Sequence, residues 1–271
     1  MGNNLMLGQF LPGDSAVHRL DPRTKILLMV VYIVLVFLVK RLSAFLIPAV
    51  LLVFMFYMAR VPASYFFSSI KPMRWLLVFM FVINLFFTEG ATVLFSVWIL
   101  RITREALRQA VFMTLRLVLL VAGTSLLTLS TSPIALTDGL ERMMSPLKRL
   151  HFPAHELAMM MTIALRFIPT LMEETERIKK AQMARGADFE SGNLLARAKS
   201  MIPILVPLFV SAFRRADELA MAMESRCYHG GEGRTRMREL HFHARDLVAA
   251  LLVTAATAAV PVVQHFLPPL L

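Results

Sequence analysis

Two arginines sit in matching surroundings. Arg185 lies between Ala184 and Gly186 in AQMARGADF, just after the charge run EETERIKK, and Arg226 lies between Ser225 and Cys227 in MAMESRCYHGG. A guanidinium at a helix end has two uses. It can complement the negative end of its own helix dipole, a gain of roughly 0.3–1 kcal/mol. With small neighbours that let a partner's backbone come close, it can instead reach a carboxylate as a bidentate fork. For one arginine alone the first use is sufficient. Two such sites, each ending a charged helical stretch, point to two partner grooves.

Other chemistry is poorly supported. The chain has no G-x-x-x-x-G-K-[ST] loop, so it is not expected to hydrolyse a nucleoside triphosphate. GGEGR lacks the lysine and a preceding strand, and reads as a turn. His241 and His243 in HFH have no companion cysteine or carboxylate cluster and read as surface histidines rather than metal ligands. Cys227 is the only cysteine, which excludes an internal disulfide and a multi-cysteine zinc site. No Ser/His/Asp or HExxH arrangement is visible. Between residues 22 and 137 the only acids are Glu89 and Glu105, both at expected helix ends, which disfavours an ion path through the membrane. No catalytic residue, cofactor or metal is assigned to this chain.

The elements carrying the arginines stand in a strongly apolar chain. Of 271 residues 57% are hydrophobic, above the roughly 45–50% of soluble domains, so the class is integral membrane. The net charge of +11 fits the cytoplasmic side of a membrane and its anionic leaflet better than nucleic acid. The polar N-terminus shows no cleaved secretory signal, and MGNNLM has Met6 where a myristoylation site needs Ser or Thr.

Apolar runs at Ile26–Val39, Leu42–Ala59, Trp75–Phe87 and Ala106–Leu129 give four or five spans before residue 135. The first is short unless Leu20–Lys25 joins it. Ala91–Leu100 reads as a re-entrant segment or a further helix. Arg108 and Arg116, inside the fourth run, must face other helices or snorkel. Residues 141–245 then hold 17 of the 29 Lys and Arg and 12 of the 18 Asp and Glu. Within them His155–Met183 has helical periodicity, with Pro169 placed to kink it and Gly186 to stop it. Glu173–Arg177, Glu176–Lys180 and Arg214–Glu218 are spaced to pair along their helices. Asn193–Cys227 loosely repeats this plan, with Pro203 and Pro207 expected to bend it. Leu247–Phe266 is a last apolar run, preceded by Arg234, Arg236, Arg238 and Arg245 and followed by no charged side chain. The positive-inside rule puts the charged region in the cytoplasm and the C-terminus outside.

The expected fold is an all-α integral membrane protein: a bundle of about five to six transmembrane helices plus a cytoplasmic helical coupling region. The expected organisation is an N-terminal transmembrane region over 1–135, a coupling region with two coupling helices over 136–245, and a C-terminal transmembrane helix over 246–271.

Three stretches carry a family resemblance: GQFLPGDSAVHRLDPRTK at 8–25, ARG at 184–186 and ESRCYHGGEGRTR at 224–236. Together they resemble the transmembrane (T) component, EcfT or CbiQ type, of energy-coupling factor transporters, a branch of the ABC transporters. The second triplet departs from Ala-Arg-Gly, reading Ser225-Arg226-Cys227. The resemblance implies a scaffold in a bacterial or archaeal cell membrane. Its partners would be membrane lipid, two cytosolic ATPases of the EcfA type that bind ATP and Mg, and an S component that captures a vitamin or other micronutrient. Each arginine motif would dock in one ATPase groove, with Ala184, Gly186, Ser225 and Cys227 permitting close approach. The Met-rich stretches AMMMTIALRF and ELAMAMES would add adaptable contacts. A self-contained secondary carrier or channel is the alternative; it needs polar residues at mid-membrane, which the N-terminal runs do not clearly offer.

Overall fold

Asp21 and Pro22 open the first helix, α1 (Pro22–Leu38). The Asp21 carboxylate accepts the Arg23 N–H at 2.9 Å, and Pro22 occupies a first-turn position that needs no donor. Pro22–Lys25 thus joins the apolar run, and the 17 residues reach the short end of the range that spans a bilayer. The structure, a computed structural model, describes residues 10–88, 92–97, 100–146, 153–189, 191, 193–230 and 240–266. The expectations for MGNNLM, Glu89, the GGEGR turn beyond Gly230, and Arg234, Arg236 and Arg238 fall outside them. The chain divides into two units, Met1–Gly139 with Leu240–Leu271, and Leu140–Glu239.

In the first unit four further stretches are long and apolar enough to cross a membrane. Leu42–Ala59 is a 3₁₀ turn (Leu42–Phe45) running into α2 (Leu46–Ala59). Ala63–Phe87 joins α3 (Ala63–Ile70), a 3₁₀ turn at Lys71–Met73 and α4 (Arg74–Phe87). The others are α5 (Arg104–Ser130) and α10 (Ala244–Phe266). The third apolar run is therefore longer than Trp75–Phe87. The stretch read as a re-entrant segment or helix is instead a short antiparallel hairpin, β1 (Val93–Val97) and β2 (Leu100–Thr103). VLFSV and LRIT are rich in β-branched and aromatic residues, which favour strands. Otherwise the described fold is all-α.

Leu35, Val36, Val39, Phe45, Leu129 and Val260 form the fully buried centre, drawn from α1, α2's approach, α5 and α10. Gly123 of α5 is packed against the Tyr32 ring so closely that a Cβ would sit 2.5 Å from Tyr32 Cε1. Arg116, halfway along α5, donates to the Val39 carbonyl at 2.9 Å, a free acceptor at the end of α1, and lies over the Phe37 and Phe112 rings at 5.3 and 4.7 Å. The intramembrane arginine thus faces other helices, as its cost demands.

Helices α1 and α10 run in parallel. Gln264 reaches the Leu38 carbonyl at one end (3.1 Å), and at the other the Asp246 carboxylate accepts the Asp21 N–H at 2.8 Å. The second Asp246 oxygen accepts the His243 N–H, also at 2.8 Å. Arg23 forks onto Asp21 (2.8 and 3.0 Å), donates to the Leu240 carbonyl and stacks on Phe242. Burial pushes the Asp21 carboxyl up, but the Arg23 guanidinium and amide outweigh it and hold the group below the ordinary carboxylate range. Lys25 joins α5 to this corner through the Ser130 carbonyl (2.9 Å) and that of His18 (3.0 Å).

The boundary between the units falls inside α6 (Pro133–Met144). The second unit contains α7 (Ala154–Ala184), α8 (Leu194–Ser200) and α9 (Ile202–Ser225). Of its described hydrophobic side chains only Ala154, Ala158 and Ile204 are buried. Pro203 does not bend α9 but sits in its first turn, where proline is tolerated; Pro169 and Pro207 lie inside their helices.

Candidate functional site

Helices α7 and α9 end in the same way. At the end of α7 the Gly186 N–H donates to Met183 O (2.9 Å) and the Ala187 N–H to Gln182 O (3.0 Å). At the end of α9 the Cys227 N–H donates to Glu224 O (2.8 Å) and the Tyr228 N–H to Met223 O (3.1 Å). Each is a Schellman motif, which satisfies carbonyls the last turn would leave free. In both the arginine is the capping residue, at φ −89° for Arg185 and −94° for Arg226. In both the next residue is left-handed: Gly186 at φ +88° and Cys227 at φ +58°. Glycine enters that region freely, whereas cysteine does so at a cost.

Ala184, Arg185, Gly186, Ser225, Arg226 and Cys227 are all exposed. The Ser225 hydroxyl is turned back onto the Met221 carbonyl (2.6 Å), so it presents a small, satisfied surface beside Arg226. The structure therefore places two guanidiniums on two helix tips, each flanked by short side chains. It does not bring the triplets together into one pocket.

The two helices pack side by side and antiparallel. Gln182 of α7 points to the Pro203 carbonyl near the start of α9, Glu174 pairs with Arg215 at 3.2 Å, and Ile163 and Phe167 share a groove with Leu219 and Met223. The arginines consequently sit at opposite ends of the pair. Each lies eleven residues beyond its own helix's member of the Glu174–Arg215 bridge. At about 1.5 Å per residue the two tips stand roughly 30 Å apart. Neither arm, 174–185 or 215–226, contains a proline.

The intrahelical pairs expected at Glu173–Arg177, Glu176–Lys180 and Arg214–Glu218 are not closed. Such exposed pairs gain only about 0.3–0.5 kcal/mol, too little to hold two long side chains against hydration. The bridge between α7 and α9, Glu174–Arg215, crosses between helices, and no local spacing announces it. The apolar face of α9 is open: Ile202, Val206, Phe209 and Phe213 are exposed, Phe213 at 69%. Met160, Met161 and Met221 are exposed as well. Among the described residues no group of three His, Cys, Asp or Glu side chains could hold a metal ion, and His241 and His243 are surface residues.

Comparison with known proteins gives one consistent result. A family model described as cobalt transport protein, CbiQ, matches residues 13–237. The chain is 53% identical over 263 residues to a protein of Thermosediminibacter oceani, covering 97% of this chain and 98% of the other. It is 54% identical over 252 residues to one of Clostridium kluyveri, covering 93% of each. To one of Bacillus subtilis it is 45% identical, covering 94% of this chain and 97% of the other. Each of the three is named energy-coupling factor transporter transmembrane protein EcfT.

Proposed function

The chain belongs to the EcfT/CbiQ family, the multi-pass membrane component of energy-coupling factor transporters, and we propose that it couples two cytosolic ATPases to uptake of a micronutrient held by a separate S component. The observation that carries this reading is the pair of equivalent helix tips. Two exposed guanidiniums in one cap geometry, at opposite ends of one antiparallel pair, suit two similar grooves about 30 Å apart. Arg185 enters the groove of one ATPase and Arg226 that of the other. Ala184, Gly186, Ser225 and Cys227 keep the surrounding surface low. The chain supplies the mechanical link; ATP and Mg belong to the ATPases.

The remaining surfaces fit the same role. The exposed apolar row Ile202, Val206, Phe209 and Phe213 and the exposed methionines offer contact area of the kind that marks interaction sites and can repack as partners move. Arg245 and the arginines upstream of it support an orientation with the start of α10 in the cytoplasm and the C-terminus outside.

The test is co-purification. The tagged chain is expressed with its ATPase pair, and wild type is compared with Arg185→Glu/Arg226→Glu after both are found inserted and monodisperse. Each reversal costs the docked state about 3–5 kcal/mol, the loss expected when one partner of a buried charge pair is removed. The ATPases should follow the wild type and be lost from the double variant. Equal recovery with both would place the interface elsewhere and leave the arginines as helix caps. Recovery with neither would favour a self-contained carrier or channel.

A further inference from the structure

We propose that Glu174 and Arg215 set the sliding register of α7 against α9, and with it the distance between the two arginine tips. This rests on the reading that the tips dock on two partners. The apolar part of the α7–α9 contact is built from rows that repeat. On α7 Ile163, Phe167 and Leu171 recur every four residues, and on α9 Ala212, Ala216 and Ala220 do the same beside a second row at that spacing, Arg215, Leu219 and Met223. They face each other across a groove of about 280 Å³. Sliding one helix by four residues moves each large side chain into the place of the next and each alanine into the place of the next. Burial of apolar area has no direction, so it distinguishes poorly between these registers. The alanines form a low ridge with little to interlock, and in the row beside them Arg215 is the member that differs in kind from Leu219 and Met223.

A slide of four residues moves one tip past the other by about 6 Å, at roughly 1.5 Å per residue. Two grooves held in an ATPase pair would not accept both spacings equally. A polar contact with one partner in one place is what removes the degeneracy. Among the described residues of the α7–α9 contact, two polar contacts join the helices. Gln182 to the Pro203 carbonyl, at 3.5 Å, is too long to be strong. Glu174–Arg215, at 3.2 Å and half-buried, is the one that specifies register, the best-attested use of a charge pair in a helix contact. Its position midway between the two tips lets it fix both arms at once, and both arms are free of proline.

The full chain in nanodiscs tests this directly. Cys227 is the only cysteine and takes one spin label as it stands; Ala187→Cys takes the second. Pulsed electron paramagnetic resonance should give the parent one narrow distance population. Glu174→Arg and Arg215→Glu should each add a second, displaced by about 6 Å. Exchanging the charges in Glu174→Arg/Arg215→Glu should return a single population at the parent distance. Arg215→Lys, which keeps the charge, should stay single. In the assembled transporter the two single reversals should retain the ATPases yet lower uptake per ATP hydrolysed about fivefold, the effect of ~1 kcal/mol, and the exchange should restore it. One population in both single reversals overturns the proposal. So does a second population that survives the exchange, or unchanged uptake per ATP. Loss of the docking reading is separately visible: it appears as ATPases retained by Arg185→Glu/Arg226→Glu, whatever the label distances on the isolated chain.

Discussion

The unit that carries α1, α2, α5 and α10 and the unit Leu140–Glu239 are stabilised in opposite ways. In the first, Asp246, Asp21, Arg23 and Lys25 are buried or nearly so; Asp246, Arg23 and Lys25 satisfy backbone groups on other elements, and Asp21 caps its own helix and holds Arg23. Around them lies a core reaching from Val17 to Val260. In the second, three hydrophobic side chains are buried among those described, one largely buried polar contact joins Glu141 of α6 to His155 of α7, and the ion pair between α7 and α9 is half-exposed. A buried polar network holds one arrangement because each lost contact leaves a group that water cannot reach. A helix pair with open apolar rows has no such penalty, and its surface is available to partners. The first unit is built to stay as it is and the second to be held by what it touches.

Four substitutions would sharpen or break that contrast, read as apparent thermal stability of the monodisperse protein in detergent. Asp246→Ala should have the largest effect. It leaves the buried Asp21 N–H and the His243 N–H without their acceptor, which should cost about 3 kcal/mol. A loss under about 1 kcal/mol would mean that the corner is not a closed network. Gly123→Leu should come next, at about 2 kcal/mol, because its side chain has to displace the Tyr32 ring. If the variant melts with the parent, α1 and α5 are less tightly joined than the structure has them. The smallest effects belong to the second unit. Gly186 has nothing within 4 Å of an added Cβ, so Gly186→Ala should cost only the left-handed backbone, about 1 kcal/mol. Cys227→Gly, at the matching position, should be neutral or stabilising by up to about 1 kcal/mol. Opposite signs at these two positions would support the equivalence of the helix ends; a loss at both would argue against it.

Much of the helical content follows from local pattern. The periodicity of His155–Met183 corresponds to α7, and Gly186 marks its stop because only glycine takes a left-handed cap freely. The end of α9 is harder to see. Ser225-Arg226-Cys227 has no glycine, and Cys227 still adopts φ +58° to close the same motif. The hairpin at 93–103 escaped the pattern because a nine- or ten-residue apolar stretch in a membrane chain fits a helix as readily as two short strands. The intrahelical ion pairs were legible as spacings, but spacing does not say whether a solvated pair closes.

Composition and motif alone determined that this is a multi-pass α-helical membrane protein of the EcfT/CbiQ type, because apolar runs and short motifs are local properties of the chain. They also required Arg116 to face other helices or snorkel, since a lipid-facing guanidinium is too costly. Only the tertiary structure decided which acceptor it found, the Val39 carbonyl. It alone joined Asp21 to Asp246 across 225 residues, and Glu174 to Arg215 across two helices. The physical reason is the same for each. A hydrogen bond or ion pair depends on a distance of about 3 Å between atoms, and sequence separation does not encode that distance until the helices have packed.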